Sequence, residues 1–160
     1  CGEGQVFRTQ MSRQLMAYLL EVGGAYGERR CRLTTDQPTA ALIKDLRQRG
    51  LLDDTLVIWG GEFGRTPRIL KVPNAYLTPG RDHWGACQSV VLAGGGIRGG
   101  QVYGASDKIA AYPTKNPVKP EDVIATMYHA MGIPPQSLIH DQQNRPHRIS
   151  EGRPLTELFG

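Results

Sequence analysis

Thr55-Leu-Val-Ile-Trp-Gly-Gly-Glu-Phe-Gly-Arg-Thr-Pro67 is a β-branched, apolar run that stops at paired glycines and then delivers a carboxylate and a guanidinium. The run predicts a buried strand over 55–59, and the glycines predict a loop that presents Glu62 and Arg65. Open α/β proteins build their sites in this way, at the carboxyl ends of strands. Just upstream, Thr34 to Gly50 reads as a helix. Thr34 or Thr35 caps it, Asp36 complements its N-terminus, and Gly50 supplies a left-handed stop. Leu42, Ile43 and Leu46 share the face expected to dock, while Asp45 and Arg49 are spaced to pair weakly on the wet side. Helix, short turn and apolar strand in that order are half of a βαβ unit.

Downstream, Gln88-Ser-Val-Val-Leu-Ala93 predicts a second buried strand, which runs into Gly94-Gly-Gly-Ile-Arg-Gly99. A short strand is expected at 101–103, and loop from Gly104 to Lys119. Pro120 opens a second helix, with Glu121 and Asp122 where the helix dipole favours acids, and Gly132 closes it. Val123, Ile124, Met127, Ala130 and Met131 form its apolar arc, which places His129 on the opposite face. The chain from Ile133 on is turn-rich with short extended pieces. Residues 60–86 show no regular period and contain Pro67, Pro73 and Pro79; a loop of that length in a compact domain is uncommon and usually functional or disordered, and its polar, ionisable centre favours functional. Near the amino end, Gln10 to Glu21 can form a helix with Met11, Leu15, Tyr18, Leu19 and Val22 on one side.

The 160 residues suffice for one domain with its own core, and a net charge of +4 is mild. Basic residues are scattered. The one tight cluster, Arg29-Arg30-Cys31-Arg32, reads as a solvated loop, so no nucleic-acid partner is expected. Cys1, Cys31 and Cys87 form an odd set without C-x-x-C spacing, which argues against a structural zinc module and a disulfide scaffold. No apolar run approaches the ~18 residues of a membrane span. The chain begins with Cys1 rather than Met and reads as a fragment, so the missing signal peptide says nothing about destination.

Gly80-Arg-Asp-His-Trp84 places another cation, acid and imidazole some fifteen residues after Arg65. If the two segments meet, Glu62, Asp82 and His83 are the candidate acid/base groups or metal ligands, because carboxylate plus imidazole suits a divalent ion such as zinc. Arg65 and Arg81 have the fork geometry that matches sulfate or phosphate. Read separately, Glu62 and Arg65 could be a structural ion pair, and Asp82-His83 a turn. No Ser, Thr or Cys sits in a nucleophile context: Ser89 and Ser106 belong to a strand and a loop, and Thr66 reads as structural. Gly94–Gly99 satisfies G-x-G-x-x-G, but the fingerprint needs a helix at its third glycine. An extended segment follows instead, so a glycine hairpin is the better reading and no nucleotide is expected. Of the two tail histidines, His140 is a better candidate than His147 because Asp141 adjoins it.

Leu51 to Pro67, Gly80 to Trp84 and Val90-Val-Leu-Ala-Gly-Gly-Gly-Ile-Arg-Gly-Gly-Gln-Val-Tyr-Gly-Ala105, with Pro117 to Ile133 and the stretch from Asn144 to Phe159, together resemble a bacterial sulfatase-like family. That family is the domain of unknown function 1501, placed in the alkaline-phosphatase-like superfamily. The resemblance covers about 34–160 and leaves 1–33 as a divergent N-terminal segment. It implies an α/β fold, the C-terminal part of a doubly wound, alkaline-phosphatase/sulfatase-like sheet with helices on its faces. It also implies metals at the carboxyl ends of the strands and a periplasmic or secreted parent. In related sulfatases and phosphatases the loop after the strand carries an Asp-His metal pair. Here Glu62-Phe63 stands in that place, so Glu62 can supply the carboxylate and Phe63 cannot be a ligand.

The expected function is therefore a fragment of a metal-dependent hydrolase of sulfate or phosphate esters, inactive alone because the nucleophile region lies upstream. Zinc, calcium or manganese is the expected ion. Glu62, Asp82 and His83 are the expected metal or acid/base groups, and Arg65 and Arg81 the substrate contacts. The alternative is a non-catalytic domain of the same fold that binds sulfated glycans or other anionic small molecules. A nucleotide-binding oxidoreductase ranks third.

Overall fold

A computed structural model describes residues 4–9, 35–71 and 79–160, the first group for its backbone. The candidate helix at 10–21, Cys1, Cys31 and the basic cluster at 29–32 lie outside the described residues. The elements run β1 (Gly4–Thr9), α1 (Gln37–Gln48), β2 (Val57–Trp59), β3 (Gly64–Arg65), β4 (His83–Trp84), β5 (Cys87–Ala93), β6 (Val102–Tyr103), β7 (Ala105–Ser106), β8 (Pro113–Lys115), α2 (Pro120–Ala130), β9 (Leu138–His140) and β10 (Pro146–Arg148). The two helices and the short, mostly antiparallel strands are mixed along the described chain, consistent with the α/β class. The four-stranded sheet has the order β2-β5-β1-β6. It is mixed: β1 and β5 are parallel, whereas β2 pairs antiparallel with β5 and β6 antiparallel with β1.

The expected helix 34–50 is observed as α1, and Gly50 at φ +69 ends it as anticipated. Thr35 and Asp36 form a wide turn before it. Thr39 Oγ1 donates to the Thr35 carbonyl, and Asp36 is buried without capping the helix through its side chain. The Arg49–Asp45 pair forms at 3.2 Å between exposed side chains, a contact worth a few tenths of a kcal/mol, roughly 0.3–0.5. No α1 residue is buried; Ile43 and Leu46 are half-buried and Leu42 is 50% exposed. The docking face is thus only partly covered.

The expected strand at 55–59 is observed as β2, shortened because Thr55 N donates to Leu52 O in a turn. The second is observed as β5, the longest strand among the described residues, with Cys87 and Val90 to Ala93 buried. Val90 and Leu92 project from one face into a core with Ile97, Val118, Leu155 and Leu158, flanked by Leu56, Tyr103, Val123 and Phe159. Fully burying a side chain such as Leu92 or Leu158 contributes about 1.5–3 kcal/mol, so this cluster sets where β5 sits. The glycine turn after β5 leads to β6 and not to a helix.

Two segments expected to be loop contain paired strands. Within 60–86, β3 pairs with β4; within 104–119, β7 pairs with β8 around a bulge. Pairs this short leave no alternating pattern to read.

α2 begins and ends as expected, but its buried face differs. Ala125 and Thr126 are buried, while Ile124 and Met131 are exposed. The reason is polar. Thr126 Oγ1 donates to Asp122 O at 2.6 Å and accepts from Leu155 N at 3.0 Å, and Asp122 Oδ1 accepts from Arg153 N at 2.9 Å. These bonds turn residues 122 and 126 towards the tail, while Val123, Met127 and Ala130 of the expected arc are half-buried. His129 is exposed, opposite that arc as expected, and its ring meets Phe159 edge-on at 4.8 Å.

Candidate functional site

β2 runs antiparallel to β5, with Val57 opposite Ala93 and Trp59 opposite Val91. The chain leaving β2 therefore arrives at the amino end of β5. There β3 and β4 pair with Gly64 opposite Trp84 and Arg65 opposite His83. Further bonds extend the ladder: Thr66 N donates to Asp82 O at 2.9 Å, and Leu70 and Gly80 exchange both backbone bonds at 2.7 and 3.0 Å. Gly64 is buried because the hairpin lies directly on β5, and a Cβ there would run into the Cys87 carbonyl. On its other side Trp84 Nε1 donates to Ala111 O at 2.6 Å, and its ring meets Tyr112 edge-on at 5.5 Å. Asp107 fixes that support by accepting from the Ile109 and Ala111 amides.

The two segments singled out in the sequence therefore meet. Glu62 Oε1 accepts from Arg65 Nη2 at 3.0 Å, and His83 Nε2 lies 3.6 Å from the same oxygen. Phe63 packs on His83 with ring centroids 5.2 Å apart and planes inclined at 33°. All four side chains are accessible, between 38% and 60% for Arg65, His83 and Glu62, with Phe63 49% exposed. The Glu62 carboxyl is held below its ordinary range, first by its own backbone N–H and next by the charge of Arg65, with His83 adding to it. It is anionic at neutral pH, as a metal ligand or anchoring base must be.

Asp82 belongs to the ladder rather than to this group. Its Oδ1 accepts from His83 N at 2.8 Å, and its own N–H donates to Thr66 Oγ1 at 3.0 Å. Thr66 is structural, as expected, since its hydroxyl also donates to Arg68 O. Arg81 is exposed and has no ion pair or hydrogen bond among the described residues. The expected set thus divides into a contact group of Glu62, Arg65 and His83, an Asp82 turned to the backbone, and an accessible Arg81.

A divalent ion holding two ligand atoms at about 2.0–2.2 Å places them roughly 3–3.5 Å apart. The 3.6 Å between Glu62 Oε1 and His83 Nε2 needs little adjustment to fit one ion. Among the described residues no group of three His, Cys, Asp or Glu side chains converges. The pair supplies two donors where catalytic zinc sites use three from protein.

The tail histidines reverse their ranking. Asp141 is approached by His147 Nε2 at 3.2 Å and Arg145 Nε at 2.6 Å, whereas His140 sits opposite Pro146 in the β9–β10 pair. Adjacency in sequence favoured His140, but the turn folds His147 back onto the carboxylate. Asp141 Oδ1 also accepts from the Gln143 and Arg145 amides. This cluster holds a hairpin turn together. The one signal of it was the Asp141-to-Arg145 spacing.

A family model described as a protein of unknown function, DUF1501, matches residues 25–159. The chain belongs to the DUF1501 family. No curated protein and no solved structure matches it. The hairpin site and the glycine turn of this DUF1501 chain both fall inside the matched span. No described helix is long and apolar enough to cross a membrane.

Proposed function

We propose that this DUF1501 chain is part of a metal-dependent hydrolase of sulfate or phosphate esters, of the alkaline-phosphatase-like type, with an exported parent. Glu62 and His83 contribute two ligands to one divalent ion, and Arg65 and Arg81 receive the anionic ester group. The observation that carries this reading is the 3.6 Å approach of His83 Nε2 to Glu62 Oε1 beside the Arg65 guanidinium. Such an ion supplies Lewis-acid polarisation of the ester oxygen. The arginines neutralise charge on the transferred group through planar, forked donation. A further ligand and a nucleophile come from outside the described residues.

Metal analysis after dialysis against zinc, manganese or calcium tests it. Stoichiometric metal that disappears in both Glu62→Ala and His83→Ala is the expected result. A metal-free protein that still binds sulfate sinks it, and leaves a second reading. In that reading the same face binds anionic small molecules or sulfated glycans without catalysis. It is favoured by the exposed Phe63 ring beside Arg65, an apolar surface next to an anion contact, and by the missing third ligand among the described residues.

A further inference from the structure

Because β2 and β5 run in opposite directions, the glycine turn after β5 lies at the end of the sheet away from the β3–β4 hairpin. β1 and β5 are parallel, so their carboxyl ends share that second end. Open α/β sheets take ligands in the crevice outside the carboxyl ends of their strands. A cleft of about 410 Å³ lies there, inside the roughly 300–1,000 Å³ range of small-molecule sites. Gly94, Gly96 and Gly99 line it from the turn, and Arg47 and Asp53 line it from the end of α1 and the segment after it.

The glycine turn is held close against that segment. Gly95 N donates to Leu52 O at 3.0 Å, and a Cβ on Gly94 would run into the Leu52 and Thr55 carbonyls. Ile97 N donates back to Gly94 O at 3.0 Å. Among the described residues, the Gly96 and Gly99 N–H groups have no backbone or side-chain acceptor. Arg47 and Asp53 form no ion pair with each other or with any other described residue. The residues lining the cleft thus include one arginine, one aspartate and glycines with spare amide donors, with no bond between them.

We propose that this cleft binds a small zwitterion of the α-amino-acid class. The ligand's carboxylate meets Arg47 and the glycine amides, a combination that suits a forked anion contact and a backbone anion nest. Its ammonium meets Asp53. Unmatched opposite charges on one cleft favour a ligand that carries both signs over a simple anion or cation. The site is separate from the hairpin and does not depend on the ester-hydrolase reading.

Calorimetric titration of the 160-residue chain with glycine, L-alanine, L-glutamate, L-lysine and L-phenylalanine, one at a time, tests the proposal. Acetate and methylammonium serve as half-ligand controls. At least one amino acid should saturate the protein while both controls fail. Arg47→Gln and Asp53→Asn should each weaken that binding by about tenfold or more, with melting temperatures unchanged because both side chains are exposed. The proposal is overturned if no amino acid saturates up to roughly 10 mM, well above a millimolar Kd. Acetate binding as tightly as the amino acid, or binding indifferent to both substitutions, overturns it equally.

Discussion

His83 Nε2 stands 3.6 Å from Glu62 Oε1 although the whole segment from 66 to 82 separates them in the chain. The β3–β4 ladder brings them together, and Arg65 sits directly opposite His83 in its register. The same Glu62 oxygen faces the Arg65 guanidinium and the His83 imidazole, so the electrostatics of the site depend on Arg65.

The Glu62 carboxyl should therefore titrate below the 4.5 of an unperturbed glutamate, with Arg65 as its strongest side-chain influence. Carboxyl-carbon NMR of labelled protein should show the midpoint below 4.5, and Arg65→Ala should move it upward towards that value. A midpoint that ignores the substitution would separate Arg65 from the site.

Gly64→Ala should displace the hairpin. The added methyl meets the Cys87 carbonyl of β5, which is backbone and cannot rotate away. A cost of about 1–3 kcal/mol or more is expected, together with a loss of the Phe63–His83 ring contact. Denaturant unfolding measures the first and His83 ring-proton shifts measure the second.

Thr126→Val keeps the shape of a side chain only 1% exposed but removes both of its hydrogen bonds. It leaves the Leu155 amide without its acceptor in a buried setting. A loss of about 1–3 kcal/mol is expected, read as a lower urea midpoint. Thr126→Ser, which keeps the hydroxyl, should recover most of it.

Asp141 is held below its ordinary value of 3.8, first by the Arg145 amide and also by the Arg145 and His147 side chains. A carboxyl depressed on folding stabilises the protein above its unfolded pKa, and that contribution fades as pH falls through the folded one. The stability difference between wild type and Asp141→Asn should hold steady from near-neutral pH down to about 5, then close below 3.8. Unfolding curves across that range check the sign.

The sequence made legible what local chemistry determines. Apolar runs announced β2 and β5, and Pro120, Gly50 and Gly132 marked helix ends, because these signals lie within a few neighbouring residues. The β3–β4 pairing was not legible: its strands are two residues each, and backbone bonds through Thr66, Leu70 and Gly80 carry no side-chain pattern. α2 misled because its buried face is fixed by Asp122 and Thr126, polar residues that a hydrophobic arc ignores. The two segments that carry the candidate residues meet in the hairpin. Their division, with Asp82 turned to the ladder and His83 to Glu62, depended on register.

Zinc-edge X-ray absorption on the zinc-loaded chain most directly tests whether Glu62 and His83 share an ion. The predicted spectrum has nitrogen and oxygen scatterers at about 2.0–2.2 Å, including one imidazole that vanishes in His83→Ala, with zinc affinity reduced in Glu62→Ala. A chain that takes up no zinc, or a spectrum unchanged by His83→Ala, would contradict a shared metal site at the hairpin.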